Sequence, residues 1–130
     1  MAKKTSKSKL ELEYALRSSP QIIYQYISNP SGLQSWFADH VDIMGNGHYR
    51  FSWNDGTEYH ATMVKSVQNK CTRFDIMDAE GEYLEFKIDQ DDITGDVELI
   101  ITEFIDPDEA EIAADIWDSA IDSLCSIIGA

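Results

Sequence analysis

Glu103 is the side chain whose position most invites chemistry. It follows Val97, Leu99 and Ile101 at intervals of two, and on a strand that count sends all four to one face. A carboxyl aimed into apolar surroundings has its pKa raised, and it can bind a hydroxyl or an amine or serve as a general acid. The competing phase turns Ile100, Thr102 and Phe104 inward and leaves Glu103 solvated at the strand's edge. The three histidines, His40, His48 and His60, fall on separate strands with no ligand-type spacing, whereas a metal needs three or four converging ligands. His60 is out of phase with Tyr59 and Ala61 and is expected to face away from their side. Asp89, Asp91 and Asp92 lack the glycine at position six and the glutamate at position twelve of a calcium loop, and read as a solvated turn. Neither Cys71 nor Cys125 has a motif around it, and no serine lies in a strand–turn–helix elbow. Phosphate loops and dinucleotide fingerprints are absent. No catalytic set, metal or cofactor is therefore expected; the residues lean against an enzyme without deciding the matter.

Aromatic side chains supply the other candidate surface. Tyr49, Phe51 and Trp53 share one face of a strand, and Tyr59, Ala61 and Met63 share one face of the next. Such faces serve as the wall of an apolar pocket or as ordinary core, since aromatic pairs on neighbouring strands stabilise a sheet without any ligand. The small Ala61 leaves room above the sheet. Trp36, Phe37 and Trp117 carry the same two readings.

The elements that must position these residues are punctuated clearly. Residues 106–129 read as one long amphipathic helix, with Asp106 as N-cap, Pro107 at the first helical position, Glu109 completing a capping box and Gly129 as the stop. Ala113, Ile116, Trp117, Ala120, Ile121, Leu124, Ile127 and Ile128 recur at spacings of three and four, opposite Glu111, Asp115, Asp118 and Asp122. Ile112, Ala114 and Cys125 widen the apolar arc, so the helix needs a broad concave partner. Leu10, Leu12, Tyr14 and Leu16 alternate as a first strand. Ser19-Pro20 and Asn29-Pro30 then open two short helices, which are too short to stand alone and must pack against the sheet. Six further strands are read at 40–44, 48–53, 57–66, 71–77, 83–88 and 96–104, separated by turn-rich segments that favour a meander of hairpins. The plan is α+β: a curved seven-stranded antiparallel sheet wrapped around the C-terminal helix, with the two short helices between strands 1 and 2.

Composition narrows the partners. A chain of 130 residues fits a single domain, read here as residues 10–130 after a disordered basic stretch at 1–9. The net charge is −14, and the first nine residues carry +4, leaving −18 for the remainder. Nucleic acid and anionic membranes are disfavoured by that charge. No apolar stretch of signal-peptide type follows the basic opening, nothing resembles a transmembrane span, and membrane insertion is not expected. A cytoplasmic protein with reduced thiols is the plain reading. Strand 97–101, placed at an apolar sheet edge, offers pairing between chains, so a monomer or a homodimer is expected.

The order of elements resembles the START-like superfamily with its helix-grip fold, also described as polyketide cyclase or Bet v 1-like. Within it the chain is similar to the branch of the activator of Hsp90 ATPase. The likeness is carried by Ser19-Pro20 with Ile23-Tyr24 and Ile27, Asn29-Pro30 with Leu33 and Trp36-Phe37, then Phe51, Trp53, Ala61, Leu99, Ile101, Trp117 and Leu124. It implies a cavity between sheet and long helix, with Trp36 and Phe37 at its rim. It does not imply one function. The leading expectation is a non-catalytic domain binding a small hydrophobic or amphipathic ligand, with Trp36, Phe37, Tyr49, Phe51, Trp53, Tyr59, Ala61, Met63, Glu103, Trp117 and Ile121 as ligand-binding candidates. A co-chaperone-like module that binds a protein partner through its acidic surface is the alternative, and a cyclase-like enzyme the third.

Overall fold

The computed structural model describes residues 7–130. Residues 1–6 of the basic opening lie outside the described residues, and the first strand already begins at Ser8. In chain order the elements are β1 (Ser8–Leu16), α1 (Pro20–Ser28), α2 (Pro30–Trp36), β2 (His40–Gly45), β3 (His48–Ser52), β4 (Glu58–Val67), β5 (Cys71–Ile76), β6 (Tyr83–Gln90), β7 (Val97–Ile105) and α3 (Ala110–Ile128). One antiparallel sheet takes all seven strands in the order β1-β7-β6-β5-β4-β3-β2. Strands β2 to β7 form the expected meander, and β1 joins it by pairing with β7, Tyr14 opposite Leu99. Register shifts between Ile43 and Gly45 and between Met63 and Lys65 mark bulges, which bend strands and help the sheet curve.

This order corrects one expectation. Strand β7 is not an edge, because it is hydrogen-bonded to β1 on one side and β6 on the other. Residues 97–101 therefore have no free backbone to offer a second chain. The edges are β1 and β2.

The short helices are capped as their sequences dictate. Ser19 Oγ accepts from the Ile22 amide at 3.2 Å and Asn29 Oδ1 from the Gly32 amide at 2.8 Å, each followed by a proline whose missing N–H costs nothing there. The long helix ends on Gly129 in the left-handed region, with φ of 74°. Its start differs from expectation. Pro107–Glu109 form a 3₁₀ turn, α3 proper begins at Ala110, and the Asp106 side chain makes no capping hydrogen bond. The tighter turn is closed by the backbone, Glu109 N to Asp106 O at 2.9 Å. Glu109 is thereby freed from the capping box.

The core sits between the sheet's concave face and α3. Phe51, Phe74 and Phe86 are fully buried there, under Trp117, Ile121 and Leu124 of the helix. Burial of each such helix side chain contributes about 1.5–3 kcal/mol. Helix α2 is pinned to α1 by the Trp36 indole N–H, which donates to the Tyr26 carbonyl at 2.8 Å, and α1 to the sheet by Thr72 Oγ1, which donates to the Ile27 carbonyl at 2.9 Å.

One polar tie holds the helix from the other flank. Tyr14 Oη donates to Asp118 Oδ1 at 2.7 Å, and burial, followed by that bond and the charges of Asp118 and Asp122, pushes the phenol well above its usual range. Tyr14→Phe is expected to cost about 1 kcal/mol in urea denaturation. An unchanged midpoint would show that β1 and α3 do not depend on the bond.

Candidate functional site

The curved sheet and α3 leave a cleft of about 280 Å³ at one end of the molecule. Antiparallel geometry sets its walls. The end of β3, the start of β4 and the end of β7 come to the same end of the sheet, beside the first half of α3. Trp53 and Tyr59 come from the β3–β4 hairpin, Glu103 and Ile105 from β7, and Ile112 and Ile116 from the helix. Those two isoleucines are 62% and 64% exposed. The sheet therefore covers only part of the wide apolar arc of α3, and the uncovered part faces the cleft.

Aromatic rings give the cleft a rigid floor. Phe37 stacks on Trp117 with centroids 5.4 Å apart and planes 13° from parallel, and Trp53 meets Phe37 edge-on at 5.4 Å. The Trp53 indole N–H donates to the Phe37 carbonyl at 3.0 Å, which fixes the ring's orientation. Tyr59 then stands against Trp53 at 75°, so the two rings form a corner.

Glu103 takes the phase that the count by twos from Val97 predicts. Its Oε2 accepts from the Trp117 indole N–H at 2.6 Å. Burial pushes its carboxyl above the usual range, while the Trp117 bond and the charge of Lys7 pull it back. The sign for stability follows directly: a folded-state pKa raised above 4.5 gives a contribution that is full below 4.5 and is lost as pH climbs through the raised value. Glu103→Gln keeps an acceptor for Trp117 and removes the titration. The variant is expected to gain stability relative to wild type as pH rises from 4.5 to 8, measured by denaturation at several pH values. Parallel pH profiles would show that the carboxyl is not perturbed.

The carboxylates around it were less legible. Asp55 sits in the hairpin turn, its Oδ1 accepting from the Thr57 amide at 2.9 Å, and backbone hydrogen bonding holds it below the usual range. Glu109, released from the capping box, is the third acid on the cleft wall. Neither was singled out in sequence, because a turn aspartate and a helix-start glutamate each have a sufficient local reason to be there. The signal that pointed to the site was the broad apolar arc of α3, whose stripe residues Ala113, Ile116 and Ala120, with Ile112 from its widened edge, line the cleft.

Of the sequence candidates, the structure brings Phe37, Trp53, Tyr59, Glu103 and Trp117 together on the cleft. Trp36, Tyr49, Phe51, Ala61, Met63 and Ile121 do not line it. Ala61 is fully buried opposite Tyr49, and the space above it is filled by the Tyr49, Phe51 and Phe74 rings, which lie 5.2–5.9 Å from one another. Enlarging Ala61 would overpack the core rather than plug a pocket.

The histidines hold one contact that sequence spacing hid. His48 Nε2 and His60 Nδ1 are 3.1 Å apart, and His60 Nε2 is 3.0 Å from Glu58 Oε1. The rings meet diagonally across the β3–β4 pair, since His60 lies opposite Arg50 and His48 opposite Thr62. They do not line the cleft. Among the described residues no group of three or more His, Cys, Asp or Glu is placed to hold a metal ion. Asp91 closes the β6–β7 turn, its Oδ1 accepting from the Ile93 and Thr94 amides at 2.8 and 2.9 Å. No helix among the described residues is long and apolar enough to cross a membrane.

A family profile described as a START-like superfamily domain matches residues 4–130. The chain belongs to the START-like superfamily. Solved START-like neighbours agree on the fold. BfR322 from Bacteroides fragilis is 34% identical, with 95% of this chain and 92% of that chain covered and a TM-score of 0.61. The Aha1 dimer from Colwellia psychrerythraea is 17% identical, with 93% and 96% covered and a TM-score of 0.76. DynU16, a putative protein in the dynemicin biosynthetic locus, is 11% identical over 91% of this chain and 46% of that one, with a TM-score of 0.72. No curated protein sequence matches the chain. At 17% and 11% identity the last two likenesses speak for the fold alone.

Proposed function

We propose that this START-like domain binds a small amphipathic molecule in the cleft between the end of its sheet and the first half of α3. The observation that carries the reading is the pairing of Ile112 and Ile116, apolar and more than half exposed, with the inward carboxyl of Glu103 across the same cleft. Apolar walls with a few fixed polar groups are the usual composition of a ligand site, and about 280 Å³ suits a small molecule or one alkyl chain. Binding is favoured over catalysis because, among the described residues, no Ser, Cys, His or Lys lines the cleft, and Glu103 is engaged by Trp117.

Ala113 sits on the helix wall, half-buried, where a larger side chain enters the cleft without touching the fully buried core. Ala113→Phe is expected to weaken binding of an apolar fluorescent probe at least about tenfold, roughly 1.4 kcal/mol, with thermal stability changed little. Undiminished probe binding would place the ligand elsewhere. Native mass spectrometry of the purified protein, followed by denaturing extraction, would supply the ligand's class.

A protein-binding role remains the second reading. It is supported by the acidic exposed face of α3, where Glu111 and Asp115 adjoin the exposed Ile112 and Ile116. Association through that face would fall with added salt, and salt-independent association would count against it.

A further inference from the structure

We propose that the cleft is selective for a cation: it takes the alkylammonium end of a single-chain amphiphile, seated in the corner of Trp53 and Tyr59 with Asp55, Glu103 and Glu109 as countercharge. The inference deepens the binding reading above and rests on it. Three observations converge. First, the corner is made of two rings in edge-to-face contact at 75° with centroids 5.4 Å apart, both on the cleft wall, and aromatic rings attract a desolvated cation through their faces, most of all a quaternary ammonium. Trp53 is locked by its bond to the Phe37 carbonyl, so its face is presented without loss of rotamer freedom on binding.

Second, the charge on the cleft is of one sign. Asp55, Glu103 and Glu109 line it, and among the described residues no Lys, Arg or His does. Among the described residues the basic group that acts on Glu103 is Lys7, whose ammonium lies 3.6 Å from Glu82. The negative field converges on the corner itself: after burial, the charges of Glu103, Glu109 and Glu82 are what push the Tyr59 phenol upward. A carboxylate headgroup entering here would meet like charge, and a neutral headgroup would leave that field unanswered.

Third, Glu103 keeps an acceptor to meet an ammonium. Glu103 uses Oε2 on Trp117, which leaves its second oxygen for the ligand, while Asp55, held by Thr57, contributes its charge. An alkylammonium beside Glu103 also offsets the cost of burying its charge. The apolar tail then lies along Ile112 and Ile116.

The test compares three probes of equal chain length, decyltrimethylammonium, decanol and decanoate, each below its micelle concentration, by titration of ¹⁵N-labelled protein. The indole N–H signals of Trp53 and Trp117 report on the cleft, and that of Trp36 on the core. The expected result is a dissociation constant for the ammonium at least about tenfold below that of decanol, with decanoate weaker than both. Tyr59→Leu, an exposed position at the start of β4, is expected to abolish most of that preference while decanol still binds. This variant leaves the net charge at −14, so a preference that survives it would come from general acidity and would overturn the inference. Equal binding of ammonium and decanol, or tighter binding of decanoate, would overturn it as well. If none of the three moves the Trp53 and Trp117 signals, the binding reading beneath it fails. Co-sedimentation with phosphatidylcholine vesicles would overturn the assignment to a free single-chain molecule, since the cleft is sized for one chain.

Discussion

Trp36→Ala is expected to lower the unfolding free energy by about 3–5 kcal/mol, a large share of the stability of a domain this size. The indole is 7% exposed and fills the junction of three elements. It meets Phe86 of β6 edge-on at 5.7 Å and Trp117 of α3 at 6.4 Å, and its N–H holds the Tyr26 carbonyl at the end of α1. Alanine removes the ring, opens a cavity beneath both helices and leaves that carbonyl without its indole donor. Urea denaturation monitored by far-UV circular dichroism reads the loss directly. A cost under 1 kcal/mol would mean that α2 is not anchored through this residue.

Gly32→Ala should destabilise by about 3 kcal/mol, against the usual direction for a helix, where alanine is favoured over glycine by about 1 kcal/mol. The reversal is steric. A Cβ at this position would collide with the backbone of α1, meeting the Gln25 carbonyl oxygen, Tyr26 Cα at 2.9 Å and Gln25 C at 3.0 Å. None of these is the tip of a flexible side chain. The Gln25 carbonyl already accepts from Asn29 Nδ2 at 2.7 Å, and Asn29 Oδ1 caps the Gly32 amide, so relieving the clash also disturbs the cap. The thermal midpoint of the variant should fall by more than 10 °C. A midpoint at or above that of wild type would show that α1 and α2 separate without cost.

These two substitutions also show what sequence reveals and what it hides. Trp36 was visible as a large aromatic in an amphipathic helix, and Ser19-Pro20, Asn29-Pro30 and Gly129 announced their caps because capping is local chemistry. The seven strands and their hairpins were equally legible, since alternation and turn residues act over a few positions. What lay beyond reach was decided across the chain. The close approach of Gly32 to α1 exists only once the two helices pack. The partner of β1 is β7, 80 or more residues away, and without that pairing β7 passed for an edge. Candidate site residues divided on the same ground. Tyr49, Phe51 and Ala61 share the inward face as alternation requires, but whether an inward face meets space or another ring depends on three strands at once, and Phe74 fills it. Glu109 was assigned to a cap, and only the 3₁₀ turn after Asp106 shows it at the cleft.

The partition between filled core and open cleft has a consequence for how this domain can change over generations. Asp55, Thr57, Tyr59, Glu109, Ile112 and Ile116 line the cleft and are all exposed, so replacing them touches little of what keeps the chain folded. The load on the fold falls on Phe51, Phe74, Phe86 and Leu124, which do not line the cleft. Selection can therefore rewrite the cleft lining one residue at a time, with each intermediate still folded. Divergent specificities on a shared scaffold are what such a division permits.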